Sequence, residues 1–282
     1  MTERPWPQCT SNIDGRPCTG VQVSDGPNPV CIAHEEPSRR HQHLISAQSN
    51  GNYGLLRGVT VDDQLMTDIS NALPVVQSGK QGHPDVRGFR NLDATGATFK
   101  EGVNFAKYRF METAIFSECI FEGLANFAAA EFDSVANFNL TVYEEGALFA
   151  GVEFRGQSLF KRANFGPNAN FQLARFRQGV GLLDIKSKGD VNFAGAEFGD
   201  TVSLIGLSID GPVSFADAKL TDIHLNSSTF RRGIAFNNAK FEQYIQWEDV
   251  AAEHVDLSQA QFDKRFVADI LCERLLLERV TF

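Results

Sequence analysis

Three of the chain's five cysteines and one histidine lie near the N-terminus, in the spacing C-x8-C-x12-C-x2-H. They are Cys9, Cys18, Cys31 and His34. Three thiolates and one imidazole fill the four positions of a tetrahedral zinc site, and C-x2-H is a common spacing for half of such a site. The x8 spacing is longer than the usual one. The pattern therefore predicts one structural zinc ion bound by these four side chains.

Other interpretations of these residues remain open at the sequence level. The thiols and the imidazole could be unligated, and His41 or His43 could replace His34 as the fourth ligand. A disulfide is less expected in a reducing compartment. A catalytic zinc would need an open position and a base such as Glu35 or Glu36, whereas three thiolates and an imidazole already complete the coordination shell. Structural zinc is the prediction.

The segment around these residues, which we assign to a module of residues 1–45, is rich in Gly and Pro and poor in apolar side chains. Metal affinity would therefore have to supply its folding free energy, as in other small zinc modules. We expect the metal to stabilise mainly the segment 1–40. Trp6 and the Arg39-Arg40 pair are the candidates for exposed, partner-contacting side chains.

No catalytic motif is recognisable in the chain. It contains no phosphate loop, no dinucleotide fingerprint, no H-E-x-x-H and no G-x-S-x-G. His83, His224 and His254 stand alone without a neighbouring nucleophile. We therefore expect no enzymatic activity, and we assign no catalytic and no cofactor-binding residues.

A ladder of phenylalanines runs through the rest of the chain, with most steps five or six residues long, and it includes 22 of the 24 phenylalanines. A short period sustained over more than 180 positions means that each repeat is a small unit stacked on its neighbours. The ladder residues are Phe99, Phe105, Phe110, Phe116, Phe121, Phe127, Phe132, Phe138, Phe149, Phe154, Phe160, Phe165, Phe171, Phe176, Phe193, Phe198, Phe215, Phe230, Phe236, Phe241, Phe262 and Phe282.

The residue two positions before each phenylalanine is small or β-branched in most repeats, and the residue between them is usually polar. Side chains at i−2 and i point to the same side of an extended segment. Each repeat is therefore predicted to be a very short strand with two inward side chains, followed by a turn. A continuous helix is disfavoured because it would cross many glycines and Pro167, at ~1 kcal/mol per Gly and ~3 kcal/mol for Pro.

These residues resemble the pentapeptide-repeat family, and the resemblance covers about residues 89–282. The matching motifs are Ala125-Asn126-Phe127, Ala136-Asn137-Phe138, Ala163-Asn164-Phe165 and Ala169-Asn170-Phe171. The resemblance implies an all-β fold, a right-handed four-sided parallel β-helix with four repeats per coil. The Cys18-Thr19-Gly20 and Cys31-Ile32-Ala33-His34 segments are similar to a short module found ahead of actinobacterial pentapeptide-repeat domains.

From Phe99 to Leu220 the steps alternate between five and six residues, which predicts coils of 22 residues and about nine coils in all. At a strand spacing of ~4.8 Å the rod would be ~40 Å long. Residues one coil apart should then lie above one another. We expect such a column for Asn104, Asn126, Asn170 and Asn192, with side chains able to hydrogen-bond along the stack as in cross-β ladders.

Residues 46–88 are predicted to hold one capping helix and a linker. Thr60 would cap the helix with Asp63 at N3 of a capping box, Leu65, Ile69 and Leu73 would form its apolar stripe, and Pro74 would end it. The stripe would cover the open first coil, since terminal repeats need a cap. The polar segment Gln77–Arg87 is predicted to be a loop.

At the other end the ladder continues to Phe282 without a capping element. An uncapped coil exposes apolar side chains and strand edges. We expect either a homodimer formed end to end through residues 266–282 or a longer natural chain. A helix over Phe266–Arg279 remains an alternative, because Ile270, Leu271 and Leu275 also suit a helix.

Charge limits the function classes. The net charge is −9, and residues 90–282 carry 26 acidic against 19 basic side chains, so binding of nucleic acid by counterion release is not expected. No apolar stretch approaches the length of a membrane span and no secretion signal is visible, which favours a cytoplasmic protein without membrane contact. The predicted function is a non-catalytic macromolecular-interaction scaffold with an unknown protein partner.

The alternative function comes from the resemblance. Some pentapeptide-repeat proteins resemble duplex DNA in shape and charge and bind DNA gyrase, which implies a DNA-mimicking ligand of a type II topoisomerase. The acidic cluster around Glu101, Glu122 and Glu144 covers only the first three coils, whereas a mimic would need acid along the full length. One outward column is mixed in sign and is predicted to be a salt-bridged face: Arg109, Glu131, Glu153, Arg175, Glu197 and Lys219.

Overall fold

The computed structural model describes residues 4–282 except Asn52, Gln81, His83 and Tyr244, so one of the isolated histidines noted above lies outside the described residues. Its main body is a β-solenoid of about nine turns, in which 31 strands form one continuous sheet. The strand pairs between successive coils are parallel. The predicted all-β, parallel solenoid is therefore confirmed.

The elements ahead of the first full coil include two α-helices, although the sequence pattern predicts one. They are β1 (Asn12–Ile13), β2 (Arg16–Pro17), a 3-10 turn (Ile32–His34), α1 (Pro37–Asn50), a second 3-10 turn (Gly54–Leu56), β3 (Thr60–Val61), α2 (Asp63–Ala72), β4 (Val75–Val76) and β5 (Val86–Phe89). Helix α1 is mostly polar and buries only Leu44 and Ala47, which is why its sequence gives no clear amphipathic signal.

The coils that follow consist mainly of very short strands. They are β6 (Leu92–Asp93), β7 (Thr98–Phe99), β8 (Val103–Asn104), β9 (Arg109–Phe110), β10 (Ala114–Ile115), β11 (Ile120–Phe121), β12 (Ala125–Asn126), β13 (Glu131–Phe132), β14 (Ala136–Asn137), β15 (Val142–Tyr143), β16 (Ala147–Leu148), β17 (Glu153–Phe154), β18 (Ser158–Leu159), β19 (Asn164–Phe165), β20 (Asn168–Asn170), β21 (Arg175–Phe176), β22 (Val180–Leu183), β23 (Lys186–Ser187), β24 (Asp190–Asn192), β25 (Glu197–Ile205), β26 (Ser208–Ile209), β27 (Val213–Ser214), β28 (Lys219–Phe230), β29 (Ile234–Ala235), β30 (Lys240–Phe241), β31 (Ile245–Asp256), β32 (Gln261–Phe262) and β33 (Phe266–Leu276).

The register confirms the predicted coil length. Ala114 pairs with Leu92 on one side and with Ala136 on the other, so successive coils are offset by 22 residues. The offset first falls by one within the pairing of β25 with β28, where Thr201 pairs with Asp222, and returns to its first value where His224 pairs with Gln246. In the second half of the pairing between β31 and β33 it is two residues smaller than in the early coils. The later coils are therefore tighter, and their longer strands run through more than one side of the solenoid.

The four sides are named here by the strands of the early coils and their outward residues. Face A contains β6, β10, β14 and β18; face B contains β7, β11, β15 and β19; face C contains β8, β12, β16 and β20; face D contains β5, β9, β13 and β17. Each face is a column of strands paired in parallel with their neighbours in the coils before and after.

Stacked aromatic rings fill the interior. Phe110 lies 4.5 Å from Phe132 between ring centroids, with the planes 3° apart, and Phe149 lies 4.8 Å from Phe171. The alanines at i−2 are buried beside them, which leaves room for the rings. Each buried phenylalanine is worth roughly 1.5–3 kcal/mol relative to exposure. Phe89, outside the ladder recognised in the sequence, extends it by one step, since it stacks on Phe110 at 5.5 Å.

The asparagine column on face C is confirmed, but its hydrogen bonds are local. Asn126 pairs in register with Asn104, and Asn170 with Asn192. The Oδ1 atom of Asn126 accepts from the backbone N–H of Ala128 at 3.0 Å, and the other three asparagines bond two residues ahead in the same way. The expected bonding along the stack is therefore replaced by Asx turns, because each amide oxygen is used to form its own corner.

The predicted capping box of α2 is wrong. The N-cap is Asp62, whose side chain accepts from the backbone N–H of Leu65 at 2.8 Å. Thr60 cannot serve because it lies in β3, where it pairs with Thr98 of the first face B strand. The stripe of α2 is buried as expected, and the helix ends at Ala72, ahead of Pro74.

The predicted loop Gln77–Arg87 is also partly wrong. Val86 and Arg87 belong to β5, which pairs antiparallel with β4, so a hairpin takes the place of a free linker. Ser78 and Gly79 hold this hairpin against face D. Ser78 Oγ donates to the Glu131 carboxylate at 2.6 Å, and Gly79 N donates to the same carboxylate at 2.7 Å. A short polar segment thus gains structure from tertiary contacts that its sequence does not indicate.

At the far end, Phe266–Leu276 forms β33, so the helical alternative for this segment is wrong. Strand β33 pairs with β31 on one side, and the described residues offer no strand to its other side. Leu275, which follows the fully buried Val255 in the inward column, is 47% exposed, and Phe282 is 78% exposed. The last coil is therefore open. Among the described residues, no helix has the length and apolar character needed to cross a membrane.

Candidate metal centre

The four side chains singled out in the sequence converge in the structure. His34 Nδ1 lies 3.3 Å from Cys9 Sγ and 3.4 Å from Cys31 Sγ, and the Sγ atoms of Cys18 and Cys31 are 3.7 Å apart. All four donor atoms lie within 4.8 Å of one another. Around a tetrahedral ion at ~2.3 Å from sulfur and ~2.0 Å from nitrogen, the donors would be separated by about 3.5–3.8 Å. The donor set fits a tetrahedral metal ion.

Two turns bring these donors together. The chain reverses between β1 and β2, where Asp14 and Gly15 have positive φ, and this brings Cys9 beside the Cys18–Gly20 segment. Cys9 N donates to Gly20 O at 2.8 Å. Cys31 precedes the 3-10 turn, in which His34 N donates to Cys31 O at 3.0 Å. The C-x2-H spacing therefore sets one half of the site.

Backbone N–H groups also point at the sulfurs. Ser11 N lies 3.4 Å from Cys9 Sγ, and Gly20 N lies 3.4 Å from Cys18 Sγ. The hydrogen bond from Cys31, together with the Gly20 N–H, lowers the pKa of Cys18 to about 5 despite its burial. The pKa of Cys31 is raised, because its proton bridges to Cys18 and the thiol is buried. A bound cation would offset the cost of ionising all three sulfurs together.

The centre is closed. Cys9, Cys18 and Cys31 are buried and His34 is half-buried. Glu35, considered above as a base, is buried with Oε1 accepting from Glu36 N at 3.1 Å, and its Oε2 lies 3.8 Å from His43 Nε2. The cluster contains His34 and neither His41 nor His43. This arrangement favours a structural ion over a catalytic one, because four protein donors leave no position for a substrate.

The predicted exposed side chains of this module are mostly not exposed. Trp6 is buried, and its Nε1 donates to Thr19 O at 3.0 Å. Arg40 pairs with Asp68 of α2 at 3.0 Å and also donates to Ala33 O. Only Arg39 stays open, with its side chain 68% exposed. Trp6 and Arg40 therefore hold the module together, and the expectation that they are free for a partner is wrong.

The charged column of face D is a salt-bridged surface, as predicted. Arg155 contacts Glu131 at 3.1 Å and Glu153 at 3.0 Å, and it also pairs with Asp133. Burial acts to raise the pKa of Glu131, but the hydrogen bonds from Ser78 and Arg155 and the charge of Arg155 outweigh it and hold the pKa below its ordinary value. No feature of the sequence indicates that the linker completes this network.

The outward columns of the other faces differ from face D in charge. Face C carries no charged outward residue over six successive coils, where the column reads Asn104, Asn126, Leu148, Asn170, Asn192 and Ser214. One acidic residue of the early cluster, Glu122, is paired with Lys100 at 3.0 Å. Faces C and D therefore do not form a continuous negative stripe.

No family model matches the chain, and neither the curated proteins nor the solved structures give a match. The class of the protein therefore rests on its fold and on its cluster of cysteines and histidine. It is a β-solenoid of stacked parallel coils that carries a Cys3His cluster at its N-terminal end.

Proposed function

We propose that the protein is a non-catalytic macromolecular-interaction scaffold of the pentapeptide-repeat type. The supporting observation is a long solenoid with a closed, apolar interior and flat sides. The cavity inside the coils is about 20 Å³ and is lined only by apolar side chains such as Phe171 and Phe193. Such a solid rod presents side chains to another macromolecule along its faces.

Face C is the surface that suits a protein partner best. Its outward side chains are Asn, Leu and Ser, flanked by Ala106, Ala128, Ala150, Ala194 and Ala216 one step beyond the inward phenylalanines. Small uncharged side chains lose little conformational entropy on binding and need no desolvation of charge. The cores of protein interfaces are likewise depleted in charged residues. Face D is less suited, because its charges are already paired and the β4–β5 hairpin lies against it.

A pair of matched variants tests face C. Leu148→Arg places a cation on face C, whereas Leu159→Arg places one at the equivalent outward position of face A, and neither leucine supplies a side-chain hydrogen bond to a turn. Partner proteins recovered from native lysate should be lost with the first variant and kept with the second. Equal recovery with both variants would remove face C from the proposal, and equal loss would indicate non-specific charge effects.

A DNA-mimicking ligand of DNA gyrase remains the second candidate from the family resemblance, but the charge pattern favours it less. A mimic needs acid along one face, whereas face C is uncharged and face D is mixed in sign. A supercoiling assay with purified gyrase at several salt concentrations distinguishes the two functions. Inhibition that weakens with rising salt would favour mimicry over the scaffold.

We further propose that the metal is zinc and that its role is structural. Three thiolates and an imidazole in a closed tetrahedral arrangement suit zinc better than harder cations. Elemental analysis of untagged protein should give one zinc per chain. Absence of metal, together with three freely reactive thiols at Cys9, Cys18 and Cys31, would contradict this.

The open C-terminal coil supports a second copy of the chain as a partner. Residues 257–282 carry four acidic and four basic side chains, whereas residues 90–256 carry 22 acidic and 15 basic, so like-charge repulsion is lowest at this end. The apolar side chains of Leu275 and Phe282 and the free edge of β33 would be covered in an end-to-end dimer.

Two leucine variants test this dimer. Sedimentation should show a dimer that Leu275→Arg disrupts, while Leu173→Arg, at an exposed leucine in mid-solenoid, leaves it intact. A monomer in the unchanged protein would refute the dimer.

A further inference from the structure

The loop that carries Cys18 contacts a segment that lies far along the chain. Thr19 Oγ1 donates to Gly58 O at 2.8 Å, and Val21 N donates to Arg57 O at 2.9 Å. Gly20 lies so close to the site that an added Cβ would come within 2.9 Å of Cys31 Sγ and 3.2 Å of Val59. The metal-binding loop therefore packs directly on residues 57–59.

That same segment forms the outer edge of the first coil. Gly58 N donates to Thr95 O at 2.8 Å, Thr98 N to Val59 O at 2.9 Å, and Lys100 N to Val61 O at 3.0 Å. Arg57 also pairs with Asp93 at 2.7 Å. Val59 and Val61 are buried. Residues 57–61 thus lie between the ligand loop and the coil, and bond to both.

We infer that metal binding at the Cys3His centre controls how tightly residues 57–61 cover the N-terminal edge of face B. This inference rests on the proposed metal site. Without an ion the loop from Cys18 to Val21 is held by single hydrogen bonds such as those from Trp6 Nε1 and Cys9 N, so it loses part of the constraint that presents Thr19 and Val21 to Arg57 and Gly58. Residues 57–61 then keep their hydrogen bonds to the first coil but lose those from Thr19 and Val21.

Thermodynamic linkage makes this coupling reciprocal. If metal strengthens the docking of residues 57–61, then docking strengthens metal binding by the same factor. The metal site would act on the sheet edge of the solenoid and not on the N-terminal module alone. This differs from a metal that folds only the module around its ligands, for which the amides of the first coil would be insensitive to the ion.

Hydrogen exchange on the full-length protein tests the coupling. The metal-loaded and metal-free forms, both kept reduced, are compared at the amides of Thr98 and Lys100, which donate to Val59 and Val61. Removal of the ion should speed their exchange by about tenfold or more, since the edge then opens locally. The amide of Phe215, which donates to Ala235 O at 2.7 Å in mid-solenoid, should not change.

A decoupling variant sharpens the test without touching a ligand. Thr19→Val removes the hydrogen bond to Gly58. The loss of one hydrogen bond should weaken the coupling between metal binding and the docking of residues 57–61 by about fivefold. Metal affinity, measured by chelator competition, and protection of Thr98 in the metal-loaded form should both fall by that factor. Thr10→Val is the control, because Thr10 Oγ1 donates to Pro29 O within the same module.

The outcomes separate the two proposals. A protein that binds no metal fails the proposed site and the inference together. Stoichiometric metal with unchanged exchange at Thr98 and Lys100 overturns the inference and leaves the site standing. Faster exchange that extends to Phe215 also overturns it, because the effect would then be global. Thr19→Val behaving like Thr10→Val would show that the loop contact carries no coupling.

Discussion

The two regions of this molecule are stabilised in different ways. In the solenoid each coil repeats the same contact, an aromatic ring stacked on the next, as with Phe116 and Phe138 at 5.1 Å. The N-terminal region has no repeat and relies on single contacts, such as the Cys3His cluster and the pairing of Arg40 with Asp68. We therefore expect neighbouring coils to compensate in part for a single substitution in the solenoid. A single substitution at a key contact of the N-terminal region should disrupt that region more completely.

Removal of one metal ligand should have the largest local effect. Cys31→Ser should abolish stoichiometric metal and unfold much of the segment 4–34, because structural zinc supplies the folding free energy of such modules. Metal content and near-ultraviolet circular dichroism report the change, while the far-ultraviolet β signal of the solenoid should persist. Cys272→Ser, at a half-buried position outside the cluster, is the control. Complete loss of the β signal with Cys31→Ser would show that the solenoid and the N-terminal region are not stabilised in different ways.

The next largest effect is expected inside the solenoid. Phe165→Ala should lower the free energy of unfolding by about 3–5 kcal/mol, because Phe165 is buried and stacks on Tyr143 at 4.9 Å. Phe282→Ala at the exposed last rung should cost far less. Denaturant unfolding measures both. Equal losses would mean that the ladder is not the source of solenoid stability.

The hairpin anchor on face D should give an intermediate effect. Glu131→Gln weakens the bonds from Ser78, Gly79 and Arg155, and should cost about 1–3 kcal/mol. Because the folded-state pKa of Glu131 is lowered, its contribution is present above its ordinary pKa of 4.5 and is lost as pH falls below that value. The protection factor of the Gly79 amide, which removes the intrinsic pH dependence of exchange, measures this as pH is varied, with Glu197→Gln on the same face as the control. A protection factor that stays constant below pH 4.5 would contradict it.

The smallest effect concerns the Asx turns of face C. Asn170→Ala removes the bond to Gln172 N and should cost about 0.5–1.5 kcal/mol. Leu148 occupies the same column without a side-chain acceptor, so Leu148→Asn should stabilise by up to a similar amount. Thermal unfolding of both variants should show shifts of opposite sign, and shifts of the same sign would count against local turns as the role of this column.

Much of the solenoid could be predicted because its signal is local and repeated. A small residue at i−2 and a phenylalanine at i fix which side chains point inward, and the alternating steps fix the coil length that the pairing of Asn104 with Asn126 shows. The four donors of the metal centre were predictable for a similar reason. Few residue types bind metal through sulfur and imidazole, and Cys31 and His34 carry the spacing of half a site.

What the sequence left undecided depends on contacts between distant segments. Thr60 looked like a helix cap, but its backbone pairs with Thr98, and Asp62 caps the helix in its place. The linker holding Ser78 looked free, yet it binds the carboxylate of Glu131, 53 residues away.

Period and spacing determined the coil, its inward residues and the donor set, because these need only neighbours along the chain or one repeat. Only the tertiary structure decided the N-terminal cover, the hairpin on face D and the burial of Trp6, because each depends on a partner that local pattern does not encode.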